Sequence, residues 1–161
     1  MTEVFVSIGS NIDREHNIRG ALETLRKKYP TLRRSSVYEN AAVGFEGDAF
    51  YNLVVAFDTE ESIDELRHSL EEIEKKYGRT RGSKRFEPRT LDLDLLLYGD
   101  AIEKNDRYEI PRSEITEYGF VLLPLAEIAG DRRHPINGEK FSRLWQQMPK
   151  MEHLDPVEWS D

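Results

Sequence analysis

The spacing of apolar residues along this chain switches between a period of two and a period of about 3.6, and each switch predicts a new element. Residues 3–8 (EVFVSI) alternate and predict a strand that ends at Gly9-Ser10-Asn11. Over 14–28, Ile18, Ala21, Leu22 and Leu25 recur at helical spacing, and Pro30 stops the helix. Residues 31–38 (TLRRSSVY) fit a second strand, 40–49 a loop punctuated by two glycines, and Tyr51–Phe57 (YNLVVAF) a third strand. A helix from Ser62 to Tyr77 follows: Ser62 and Glu65 make a capping box, and Ile63, Leu66, Leu70, Ile73 and Tyr77 form its apolar stripe. Residues 91–98 (LDLDLLLY) open with strict alternation and predict a strand that turns at Gly99-Asp100. A short helix near 119–128, a turn at Asn137-Gly138 and a helix over 140–148 complete the pattern, with about the last ten residues expected to be loosely held.

The order β-α-β-β-α-β predicts an α+β fold of ferredoxin-like kind, an antiparallel four-stranded sheet with two helices on one face. The C-terminal helices then cover the sheet further, giving three layers, α/β/α, in one domain over residues 1–161. Neither a repeat nor a Pro/Gly/Ser linker divides the chain.

Composition narrows the class. A chain of 161 residues has room for one core, and 38% hydrophobic with 34% charged residues is a globular balance rather than a disordered one. Cysteine is absent, which excludes disulfide scaffolds, thiol catalysis and Cys-ligated metal sites. No apolar run approaches the roughly 20 residues of a membrane helix, and the start (MTEVFVSIGSN) lacks a signal-peptide core. No membrane association and a cytoplasmic location are therefore expected. The net charge of −8 argues against a nucleic-acid partner. Residues 75–89 (KKYGRTRGSKRFEPR) nevertheless carry a local +6, leaving −14 on the rest. A concentrated basic stretch on an acidic protein fits a defined anionic ligand better than a long polyanion.

The candidate chemistry lies beside that stretch. Asp92 and Asp94 are two apart on a strand, so their carboxylates share one face about 6–7 Å apart, while Leu91, Leu93 and Leu95 point the other way. Paired hard oxygen ligands suit Mg²⁺ that also holds phosphates. An isolated Asp-x-Asp is as readily the solvent face of a strand. Here it follows directly on Arg79, Arg81, Lys84, Arg85 and Arg89, whose charge matches phosphate oxygens, with Gly78 and Gly82 between them. Carboxylates and arginines together fit phosphoryl-type transfer, which is mostly positioning and charge neutralisation. Asp94 is the nearest candidate base, and a weak one if it holds a metal. Phe50, Asn52, Phe86 and Phe120 offer aromatic faces and an amide for a flat heterocycle, although such residues are also ordinary core components. Neither a Walker A sequence nor a G-x-S-x-G elbow is present, and His16, His68, His134 and His153 lack metal spacing.

The string GRTRGSKRFEPRTLDLDLLLYG (78–99) resembles the signature of the 6-hydroxymethyl-7,8-dihydropterin pyrophosphokinases of folate biosynthesis. SIGSN (7–11), FYNLVVAF (50–57), Ile73-Glu74, Ile110-Pro111 and GFVLLPLAEI (119–128) support it, so the resemblance spans about 3–145. It implies transfer of pyrophosphate from ATP to the pterin hydroxymethyl group with release of AMP, using two Mg²⁺ ions on a ferredoxin-like fold. It also implies roles. Asp92 and Asp94 match the metal pair, Arg79 and Arg89 the phosphate-stabilising arginines, and Arg81 and Arg85 the catalytic loop. Glu74, Phe86, Arg107, Arg112 and Tyr118 join those arginines around ATP; Asn40, Ala41, Val43, Gly44, Phe50, Asn52, Phe86, Asp92 and Phe120 match the pterin side. Arg112 stands where the family usually has histidine, Tyr118 where it has arginine, Phe86 where it has tryptophan, and Asn40-Ala41-Ala42-Val43-Gly44 replaces Thr-x-Pro-x-Gly. Small-molecule substrates, a monomer and a possible folate-pathway enzyme partner complete the expectation. The alternatives are a divergent member with an altered pterin or weakened activity, and a ferredoxin-like RNA-binding module. The net charge and the missing aromatic RNP string disfavour the latter.

Overall fold

In the computed structural model, which describes residues 1–40, 49–78, 91–150 and 153–161, β1 (Thr2–Ser10) pairs antiparallel on one side with β4 (Phe50–Thr59) and on the other with β5 (Asp92–Tyr98). β3 (Val37–Asn40) pairs with β4 and β8 (Asp155–Val157) with β3, so the order is β5-β1-β4-β3-β8, with β2 (Arg33–Arg34) also on β4. Without β8 this is the ferredoxin-like sheet that the element order predicts.

Both faces of the sheet are covered. Val4, Val6, Ile8, Leu53, Val55, Phe57, Leu91, Leu93 and Leu95 pack against α1 (Arg14–Lys28) and α2 (Ile63–Lys76). Phe5, Val54, Ala56, Leu96 and Leu97 face α3 (Gly119–Ala129) and α4 (Phe141–Gln147). The central strands are therefore apolar on both sides. A bulge explains the end of the LDLD alternation: Val6 pairs with Leu95 and Phe5 with Leu97, so Leu96 is the extra residue and Leu96 and Leu97 both face α3.

Local chemistry sets the helix bounds. The Ser62 hydroxyl accepts from the Glu65 amide at 3.1 Å and the Glu65 carboxylate accepts from the Ser62 amide at 2.9 Å, the capping box read from the sequence. The residue ahead of α1, Asp13, is left-handed at φ 42° and makes no side-chain cap, and the Asn17 side chain instead donates from Nδ2 to the Ile12 carbonyl at 2.7 Å. Gly20 lets the helices close up, because a Cβ there would lie 2.2 Å from the Tyr77 hydroxyl.

Two expectations are corrected, and one hairpin is added. The strand over 31–38 is broken at Ser35-Ser36. Ser35 Oγ replaces a carbonyl by accepting from the Val54 amide at 3.0 Å, and Glu127 of α3 accepts from the Ser36 amide and from the Tyr38 hydroxyl. Burial and that carboxylate push the Tyr38 phenol up to about 12. Residues 99–118 hold an unexpected hairpin of β6 (Glu103–Lys104) and β7 (Glu109–Ile110), closed where Asn105 Oδ1 accepts from the amides of Arg107 and Tyr108, and then a 3₁₀ turn at Ser113–Thr116. The C-terminal segment is docked rather than loose: β8 pairs with β3, Trp159 packs edge-on to Tyr51 with Arg19 over its ring, and Asp161 pairs with Arg26 and Arg34. One aromatic and one carboxylate give the tail enough burial and charge pairing to order it.

Candidate functional site

The strand register brings the first group of site residues together. Gly9 of β1 stands opposite Asp92 of β5 on one side and Asn52 of β4 on the other; Ser7 stands opposite Asp94 and Val54. Directly opposed residues share a face, so Asp92, Asp94 and Asn52 lie on the α3 side, with Leu91, Leu93 and Leu95 buried on the other as expected. Asp92 and Asp94 are half-exposed. Two strand spacings, about 10 Å, separate the backbones of Asp92 and Asn52, and only a glycine stands between them. A Cβ at Gly9 would sit 3.0 Å from Asn52 Oδ1, so the missing side chain keeps that stretch of sheet open and the amide in place.

Asn52 is buried, and its Nδ2 donates to Oδ1 of Asn40, buried at the end of β3. Phe50 is Asn40's direct partner and is half-buried on the same face. Phe120, in the first turn of α3, stacks on Tyr118 with ring centres 5.1 Å apart and planes 22° off parallel. Tyr118, expected around the nucleotide, thus lies against the aromatic residue expected to face the pterin.

The second group lines a cavity of about 230 Å³ between α2, β5 and the β6–β7 hairpin. Glu74, Arg107 and Arg112, expected around the nucleotide, border it together with Asp94 of the aspartate pair. Sequence reasoning missed Arg67, Leu70 and Tyr108 among its walls. A signal existed on α2, where Arg67, Leu70, Glu71 and Glu74 fall at i, i+3, i+4 and i+7 on one face. Tyr108 had none, since its place depends on the hairpin. Its ring has the guanidinium carbons of Arg67 and Arg107 at 5.2 and 5.7 Å, while Arg67 donates to the Arg107 carbonyl at 2.9 Å.

Electrostatics join the two groups at Asp94. The Arg112 amide donates to the Leu96 carbonyl at 3.0 Å, which holds Arg112 at the β5 edge. Its Nε donates to Glu114 at 2.6 Å and its Nη2 lies 3.8 Å from Asp94 Oδ1. Burial works against that charge, but Asp94, Glu114 and Glu109 outweigh it and raise the Arg112 pKa above that of an ordinary arginine. Glu74 Oε2 accepts from the Leu93 amide at 2.8 Å, satisfying a donor on the edge strand between the two aspartates.

Among the described residues no cluster of three or more His, Cys, Asp or Glu could enclose a metal. Two half-exposed carboxylates on one face do fit Mg²⁺, which takes one or two protein carboxylates and completes its shell with phosphate and water. Arg79, Arg81, Arg85, Phe86, Arg89, Ala41, Val43 and Gly44 lie outside the described residues. No helix among the described residues is long and apolar enough to cross a membrane.

A family model described as 7,8-dihydro-6-hydroxymethylpterin-pyrophosphokinase (HPPK) matches residues 5–130. The chain is 40% identical to the "Folate synthesis bifunctional protein, mitochondrial" of Pisum sativum over 80% of its own length and 25% of that protein's. It is 35% identical to the "2-amino-4-hydroxy-6-hydroxymethyldihydropteridine pyrophosphokinase" of Haemophilus influenzae over 97% of its own length and 100% of that protein's. It thus spans about a quarter of the pea relative and all of the bacterial one. In fold it resembles the crystal structure of Plasmodium falciparum HPPK-DHPS, with a TM-score of 0.68 at 13% identity over 91% of this chain and 43% of the other.

Proposed function

The chain belongs to the 7,8-dihydro-6-hydroxymethylpterin-pyrophosphokinase family, and from that membership we propose that it transfers pyrophosphate from ATP to 6-hydroxymethyl-7,8-dihydropterin, with release of AMP, in folate biosynthesis. The observation that carries this reading is the position of the aspartate pair. Asp94 borders the cavity at α2, and Asp92 lies one glycine away from Asn52 on the open face. A carboxylate pair between a pocket and a flat amide-lined face suits a reaction whose two substrates meet at the phosphate chain.

On this reading the nucleotide enters the cavity between α2 and the hairpin, with Arg67, Arg107 and Tyr108 around it. The pterin lies over Gly9, edge-on to the Asn52 amide, with Phe120 as a stacking face. Asn52 is held by Asn40, so its amide is presented in one orientation. Asp92 and Asp94 would hold Mg²⁺, two ions on the family pattern, which when bound neutralises phosphate charge as the reaction proceeds. The pterin hydroxyl oxygen forms a bond to the β-phosphorus, the bond from that phosphorus to the α,β-bridging oxygen breaks so that AMP departs with that oxygen, and the hydroxyl proton passes to solvent water. Arg79 and Arg89, with Arg81 and Arg85, supply positive charge to the phosphates, and Phe86 gives a further aromatic face. Arg112 reaches the phosphate side from Asp94. The reading includes a monomer in the cytoplasm and a folate-pathway enzyme as a possible partner.

The test is to incubate protein, ATP, Mg²⁺ and the pterin alcohol and to separate the products. AMP formed in step with the pterin diphosphate, and abolished by EDTA, is the expected result. Formation of ADP, or nucleotide turnover that ignores the pterin, overturns the reading.

A further inference from the structure

Arg14, the first residue of α1, makes three contacts that converge on the facing ends of β3 and β4. Its Nη1 donates to the Ala49 carbonyl at 2.7 Å, its Nη2 pairs with Glu39 Oε2 at 2.8 Å, and its guanidinium carbon stands 4.0 Å from the centre of the Tyr51 ring. Glu39 and Tyr51 are direct partners in the β3–β4 register. Each gripped residue is followed by one assigned to the pterin side: Glu39 by Asn40, Ala49 by Phe50, Tyr51 by Asn52. Strand alternation puts Glu39 and Tyr51 on the α1 face and Asn40, Phe50 and Asn52 on the open face. The arginine therefore holds the pterin-side residues from behind the sheet.

We propose that Arg14 is a positioning residue for the pterin site. It does not touch substrate. Its planar fork joins residue 39 to residue 49 and so sets the spacing of Asn40, Phe50 and Asn52 before the ligand arrives. Holding both strand ends moves the ordering cost from the binding step into folding, which is how preorganisation gains affinity. The fork geometry is required, because lysine offers a point charge that cannot bond a carboxylate and a carbonyl while stacking on a ring. Charge adds a reason: Glu39 stands directly opposite Asp155 of β8, and like charges so placed repel unless a cation intervenes.

This inference rests on the pterin reading, so the experiment begins by titrating the pterin alcohol into wild type with Mg²⁺ and a non-hydrolysable ATP analogue. The same titration follows for Arg14→Ala, Arg14→Lys and Glu39→Gln, with a separate titration of the analogue alone. Arg14→Ala is expected to weaken pterin binding about tenfold and to leave nucleotide affinity within about twofold, with Arg14→Lys between it and wild type. Turnover at saturating pterin should stay within about threefold, a split between KM and kcat that a general loss of structure would not produce. Unchanged pterin affinity in folded Arg14→Ala, or equal weakening toward both ligands, overturns the proposal. If Arg14→Ala does not fold by circular dichroism, Glu39→Gln decides, since it keeps the bond to Ala49 and the stacking: about threefold weaker pterin binding supports the proposal and none overturns it. Wild type that fails to bind the pterin overturns the functional reading and this inference together; wild type that binds alongside unaffected variants overturns this inference alone.

Discussion

Arg112 divides its guanidinium between Glu114 at 2.6 Å and Asp94 at 3.8 Å, and the longer contact is the one an incoming phosphate or cation can displace. A half-exposed pair of that length is worth on the order of 0–1 kcal/mol, less than a phosphate offers a free guanidinium fork. Arg112→His should therefore change the affinity for an ATP analogue several-fold and flatten its salt dependence, while pterin affinity stays the same. Titrations at low and moderate salt check this; equal nucleotide affinities at both salts would show that Arg112 stays with its carboxylates. Asp92→Asn and Asp94→Asn keep side-chain size but remove an anionic ligand, so Mg²⁺-dependent turnover should fall by about two orders of magnitude or more in proteins that still fold. Steady-state rates with unfolding curves decide it, and near-normal turnover in both variants would remove the metal assignment. The aspartates were legible because a strand's period of two puts both on one face. The Arg112–Asp94 contact was not legible, since a hairpin of unforeseen shape brings those residues together.

Elements were legible in proportion to their length and periodicity. Both long helices and the three long strands β1, β4 and β5 follow from spacing, and the α2 cap could be read to the residue. Ser62→Ala should cost about 1 kcal/mol, since it leaves the Glu65 amide without its acceptor, and a shifted urea midpoint with an unchanged slope is the expected signature. The short elements were not legible. β8 has three residues, one of them Pro156, and nothing periodic to read, yet its pairing with β3 and the burial of Trp159 hold the tail. Likewise the Ser35-Ser36 break depends on Glu127, some ninety residues away. Trp159→Ala should destabilise the protein by about 2 kcal/mol, less than a fully buried tryptophan would, and thermal unfolding measures it. An unchanged midpoint would mean that the tail rests on the surface without supporting it.

At the scale of the molecule, the element order was enough to place two helices on one face and the remaining helices on the other. What it left open was that the second face is divided, apolar beneath α3 and α4 and polar along the Asp92–Gly9–Asn52 row. That division depends on where α3 starts and on the Leu96 bulge, neither of which local spacing reports. Stability should also depend on pH through His134, buried beside Phe141 with its Nδ1 accepting from the Ile136 amide at 3.2 Å. Burial lowers its pKa below the ordinary 6.5, so the unfolded chain binds the proton first. The contribution is whole above pH 6.5 and is lost as pH falls through the depressed folded value. Denaturant titrations at pH 7.5 and 5.5 should show a larger drop for wild type than for His134→Gln, and equal drops would place the pH dependence elsewhere.

The docked tail has a practical consequence for handling the protein. Asp161 is fastened by Arg26 at the last turn of α1 and by Arg34, whose strand partner Val55 lies about 10 Å along β4 from Asn52. A tether attached beyond residue 161 would leave from the α1 side, with the aspartate pair and the Asn52 face turned the other way. Anchored by that end to a sensor chip, or joined there to a second protein, the molecule would keep the Asp92–Gly9–Asn52 row toward the bulk.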